Sequence, residues 1–82
     1  MATSKQELRT WFDKGVASGY THMIVVCDTF DHMDFPVYVL PSEDVKSVER
    51  AYAGQAMARI MEVYNLSMDR EQQLAEVRAF NY

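Results

Sequence analysis

The chain has a single cysteine, Cys27, so no intrachain disulfide can form and a disulfide-stapled secreted scaffold is excluded. Its longest apolar run, Met23 to Cys27, is far too short to span a bilayer. The first residues, Met1-Ala2-Thr3-Ser4-Lys5-Gln6-Glu7, lack the apolar stretch of a signal peptide, which makes the cytoplasm the expected compartment. Glycine is scarce: Gly15, Gly19 and Gly54 stand alone, and no phosphate-cradling or nucleophile-elbow glycine motif is present. Basic residues are few and unclustered. Eight Lys and Arg face twelve Asp and Glu, for a net charge of −4. Phosphate neutralisation needs clustered cations, so duplex nucleic acid and anionic membrane surfaces are poor partners. A small anionic ligand held by converging arginines stays open.

What the chain does have is apolar material. Of its 82 residues 49% are hydrophobic, the composition of a folded domain rather than a disordered one. Residues 1–82 are read as one domain. A chain this short buries only about 60% of its unfolded surface, so its core is thin and self-association would help it.

Ser4 and Glu7 form a Ser-x-x-Glu capping box, and Leu8, Trp11, Phe12 and Val16 follow on one face, so a helix is expected from Ser4 to Gly19 with Trp11 as a core anchor. Met23 to Cys27 reads as a strand covered on both sides. Val37 to Leu40 reads as a second strand, with Pro36 fitting a strand start or an edge. Eight residues between them leave no room for a crossover helix, so the pair should be an antiparallel hairpin with its tip near Asp31 to Asp34. Pro41 and Ser42 then lead to a helix with Glu43 and Asp44 in its first turn. Its stripe, Val45, Val48 and Tyr52, passes Gly54 into Met57, Ile60, Met61 and Tyr64 at i, i+3, i+4 and i+7. A last helix is expected over about Met68 to Phe80. The expected fold is thus α/β of the α+β type, order α-β-β-α-α, a hairpin packed on helices whose sheet is completed by oligomerisation. Two strands alone are marginal in water, which points to a homodimer or a higher even oligomer.

The densest polar cluster is the loop from Cys27 to Asp34, with Asp28, Asp31, Asp34 and His32. It matches neither the calcium-loop spacing nor the zinc pairings, so no metal site is assigned and a solvated hairpin tip is the simpler reading. Cys27 ends an apolar strand, sits beside Asp28, and points away from His22 on an alternating strand. Each of these argues against a nucleophile, and no catalytic residue is assigned. The aromatic residues, 12% of the chain, are too many for so small a core. They fit either ordinary packing at an interface or stacking on a ligand.

The stretch Gly19-Tyr20-Thr21-His22-Met23-Ile24-Val25-Val26-Cys27-Asp28-Thr29-Phe30-Asp31, with Pro36-Val37-Tyr38-Val39, Met61-Glu62-Val63-Tyr64 and Arg78-Ala79-Phe80, resembles a family of small uncharacterised proteins found in bacteria, their plasmids and their phages. The resemblance implies a context, the host cytoplasm for a phage-encoded member, in which compact proteins bind a host defence protein or soak up a nucleotide immune signal. The leading expectation is therefore a non-enzymatic module, without cofactor, that self-associates and captures a small polar ligand of nucleotide type. Its contacts would come from Asp28, Thr29, Asp31, His32, Arg78 and Tyr82. The alternative is an interaction protein that masks a host protein. A hydrolase built on the Asp28 to Asp34 loop is the third class.

Overall fold

A computed structural model describes residues 4–82. Helix α1 spans Lys5–Ala17. Its cap is the one expected: the Ser4 side chain accepts a hydrogen bond from the Glu7 amide at 3.2 Å, satisfying one of the free donors of the first turn. Just beyond its end Gly19 takes a φ of 81°, a left-handed position that glycine occupies without steric cost. Leu8, Phe12 and Gly15 are the buried face. Trp11 is only partly buried at the margin of that cluster, so it flanks the core rather than anchoring it. A three-residue offset from Leu8 carries Trp11 towards the helix flank, while Phe12 takes the inward direction.

Strands β1 (His22–Asp28) and β2 (Met33–Val39) form the expected antiparallel hairpin, with Val26 opposite Phe35 and Asp28 opposite Met33. β1 is covered on both faces. Met23 and Val25 join Leu8, Phe12, Tyr64 and Leu74 on one side. Ile24 and Val26 join Val39, Val45 and Val63 on the other. Helix α2 (Val45–Ala53) lies on this second side. Asp44 is its cap rather than part of its first turn, accepting from the Ser47 amide at 3.1 Å. Glu43 instead accepts from the Leu40 amide at 2.9 Å.

The helical stripe expected beyond Gly54 is a strand. β3 (Ala58–Asn65) pairs antiparallel with β1 and gives the sheet order β2-β1-β3. The sheet therefore draws its third strand from the same chain, and the marginality of two strands no longer argues for an oligomer. The expected last helix is also shorter. α3 covers only Arg70–Leu74, capped by the Asp69 side chain on the Gln72 amide. The chain then turns back, and Val63 donates to the Ala79 carbonyl at 2.8 Å and accepts from the Asn81 amide at 2.9 Å, in a parallel bridge on the outer side of β3.

The hydrogen-bond parity fixes what the open edge offers. Leu66 donates to the Thr21 carbonyl and Thr29 to the Met57 carbonyl, so the odd-numbered residues of β1 bond towards β3. Its even-numbered residues bond towards β2, whose odd-numbered residues answer them. Pro36, opposite Val25, then turns its missing donor outward, midway along the outer edge of β2, as its residue type requires.

Candidate interaction surface

The hairpin turn is built by Asp28. Its Oδ1 accepts from the Phe30 amide at 2.9 Å and the Asp31 amide at 3.4 Å, and its carbonyl from the His32 amide at 2.7 Å. A carboxylate that bonds the backbone two and three residues on is the reason Asp suits such turns. Thr29 donates to the Met57 carbonyl at 2.9 Å, which ties the turn to the entrance of β3. His32 (φ 58°) and Met57 (φ 63°) are the two non-glycine residues in the left-handed region among those described, and both lie at this end. Each such residue costs on the order of 1–3 kcal/mol, and such positions concentrate at functional sites.

Pairing places Asp28, Met33 and Ala58 side by side on the α2 face, one step beyond Val26, Phe35 and Ile60. A cleft of about 290 Å³ opens there, lined by Asp28, Phe30, Phe35 and Met57 and by the turn at 55–56. Phe30 is 72% exposed and Met57 59%, both lining the cleft, and Met33, paired opposite Asp28, is 60% exposed, a concentration of bare apolar surface at this end. Phe35 meets Tyr52 of α2 edge-on, with ring centroids 6.5 Å apart, which fixes one wall. Among the described residues Asp28 is the only charged one lining the cleft.

Of the residues expected to act together, Asp28, Thr29, Asp31 and His32 are gathered in this turn. Tyr82 is not with them. Its hydroxyl donates to Glu49 at 2.5 Å, Lys46 lies over its ring, and its carbonyl oxygen is 3.2 Å from His22 Nε2. His22 begins β1 and Asp28 ends it, about 20 Å apart along a strand. Arg78 lies along the outer edge of β3. Nη2 donates to the carbonyls of Ile60 at 3.2 Å and Met61 at 3.3 Å, and the guanidinium stacks over Phe80. Its fork closes backbone acceptors that no strand reaches, and so is committed to the fold. Sequence reasoning missed Phe30, Met33, Phe35 and Met57. The signal was present in two phenylalanines flanking an Asp-rich turn, where a solvated tip has no use for them.

On the opposite face Cys27 is half-buried, and burial together with Asp34 across the strand pair pushes its thiol up rather than towards a reactive thiolate. The raising carboxylate is thus Asp34, not the adjacent Asp28. Glu62 sits on that face too, its carboxyl raised by burial and held down in part by the Tyr64 hydroxyl and Arg78. Among the described residues no cluster of three or more His, Cys, Asp or Glu could hold a metal ion, and no helix is long and apolar enough to cross a membrane. A further hollow of about 380 Å³, lined by Val16, Tyr20, His22 and Leu66 among others, lies at the far end of β1. No family model, curated protein or solved structure matches this chain.

Proposed function

We propose that the protein is a non-enzymatic binding module that engages a partner protein through its hairpin end. The observation that carries this reading is the apolar opening itself. Phe30 and Met57, which line the cleft, and Met33, paired opposite Asp28, are all more than half exposed, at the end where the two left-handed non-glycine residues also fall. Exposed apolar groups gathered in one place, with flexible methionine among them, are what adaptable protein contacts use. The turn is pinned to β3 through Thr29, so the surface is displayed on a fixed support.

Nucleotide capture has less behind it. It relied on the Arg78 fork to offset phosphate charge, and that fork is spent on the carbonyls of Ile60 and Met61. The charge lining the cleft is negative. Self-association by sheet extension also loses support, because Pro36 blunts one edge and residues 78–81 close the other.

A photo-crosslinking amino acid at position 30, with a control at Val16 at the other end of the molecule, tests the proposal in the producing cell. Val16 is 49% exposed, so both probes meet solvent. A discrete protein adduct is expected from position 30, absent from position 16 and lost on Met57→Ser. Native mass spectrometry of the purified protein that shows a stoichiometric nucleotide, released by His32→Ala, would instead favour small-ligand capture.

A further inference from the structure

Resting on the hairpin end as the contact surface, we infer that the segment it takes is cationic as well as apolar: one or two bulky side chains flanked by lysine or arginine. The cleft holds about 290 Å³, at the lower limit for a small-molecule site and enough for one or two large side chains. Phe30, Phe35, Met57 and the alanines at 56 and 58 make most of its lining, with Gln55 and the Asp28 carboxylate as the polar members. Asp28 Oδ1 is occupied by the Phe30 and Asp31 amides, whereas among the described residues no donor is placed on Oδ2. Asp28, a lining residue of a mostly apolar cleft, thus keeps one carboxylate oxygen that the turn does not use. Asp31 lies on the exposed turn beside it, and among the described residues no lysine or arginine lines the opening. The whole chain carries −4, which adds a long-range pull on a positive partner.

The same charges select among occupants. A second copy docking face to face would bring its own Asp28 and Asp31 against these, and like charges opposed across an interface are unfavourable. A phosphate-bearing ligand meets the same repulsion. A basic, apolar segment satisfies both features at once: its apolar side chains cover Phe30, Phe35 and Met57, and its cations meet Asp28 and Asp31.

Titration of the ¹⁵N-labelled protein with three capped hexapeptides tests this. One carries Leu-Phe between two lysines with glycine at each end, the second has glutamates for the lysines, and the third has serines for Leu-Phe. The lysine peptide is expected to shift the amides at 28–35 and 55–58, more weakly as salt is raised. The glutamate and serine peptides should bind several-fold less well. Asp28→Asn keeps the Oδ1 acceptor that builds the turn and removes the charge, so it should weaken the lysine peptide about three- to fivefold, the scale of one exposed charge contact, and should not weaken the glutamate peptide. Phe30→Ser should abolish the shifts with the fold intact, since that ring is already in solvent. Equal binding of the glutamate peptide at these amides would overturn the charge inference and leave the surface standing. If no peptide moves these amides, both readings fall. A wild-type dimer that Phe30→Ser converts to monomer would identify the occupant as a second copy and overturn the inference.

Discussion

The side-chain amide of Gln73 is paired with the backbone of Asn65 as a neighbouring strand would be. Gln73 Oε1 accepts from the Asn65 amide at 2.8 Å and Nε2 donates to the Asn65 carbonyl at 2.9 Å. Gln73 is the one fully buried polar side chain among the described residues, 1% exposed. It docks α3 on the end of β3, and Asn81 donates to the same Oε1 at 3.1 Å, which brings the chain's last residues to the same point.

Gln73→Leu should therefore be costly although leucine fills nearly the same volume. It leaves the Asn65 amide and carbonyl without their partner, at about 1–3 kcal/mol for each unsatisfied buried group. A fall in melting temperature of roughly 10 °C or more is expected, since 1 kcal/mol shifts a domain of this size by about 4–8 °C. Hydrogen exchange at Asn65 and at 79–81 should speed up together. Thermal unfolding and exchange both check this.

Gly15→Ala should reverse the usual sign of that substitution. In an exposed helix alanine gains about 1 kcal/mol over glycine. Here the added Cβ would lie 2.8 Å from both Leu66 Cδ1 and Tyr38 Cε1. The Tyr38 ring cannot simply yield. It stacks on Tyr20 at 4.9 Å and donates from its hydroxyl to the Trp11 carbonyl at 2.8 Å. Overpacking of about 1–3 kcal/mol then outweighs the propensity gain. A variant that melts higher than the parent would contradict the close approach of α1 to the sheet.

Pro36→Thr restores an amide donor on the open edge of β2. Beside the outward amide of Tyr38 this extends a pairing surface that proline interrupts. Sedimentation velocity should show concentration-dependent association of the variant that the parent lacks. If the two behave alike, the blunting of the edge is not what limits strand pairing.

The two unusual glutamates should pull stability in opposite directions with pH. Arg9, then Arg70, hold the Glu71 carboxyl down at about 2 from 4.5. A depressed carboxylate stabilises the fold fully above its unfolded pKa, and that contribution is lost as pH falls from about 4.5 towards 2. Glu62 is raised by burial, so the folded state prefers its protonated form. Its contribution falls as pH rises from 4.5 through the raised folded value. Melting temperature followed from pH 2 to 8 should therefore lose its acid arm in Glu71→Gln and flatten above pH 4.5 in Glu62→Gln. Salt should weaken only the first effect, because the Arg9 pair is solvent-exposed.

Where the fold is local, the residues alone determine it. The Ser4 cap starts α1, the apolar run in β1 demands cover on both faces, and eight intervening residues force β1 and β2 into a hairpin. Proline at position 36 needs an edge and has one. The second half of the chain was decided by pairing at long range. Met57, Ile60, Met61 and Tyr64 keep a helical spacing, yet Ala58 to Asn65 is a strand. Its period of two is broken because Ile60 lies opposite Val26 and Glu62 opposite Val25, which leaves Met61 as an extra residue in a bulge. Ala58 and Ile60 thus share a face with Val63, a phase change that alternation read along the sequence cannot register. The stretch after Leu74 left its helical pattern for the same kind of reason. Ala79 and Asn81 find the outward carbonyl and amide of Val63, and an unpaired edge on an otherwise buried strand outweighs a weak local helix. The candidate surface divides in the same way. The Asp-rich turn was legible because Asp28 bonds its own backbone, whereas the places of Phe30, Met57, Arg78 and Tyr82 depend on β3 and the returning chain, whose positions no local pattern encodes.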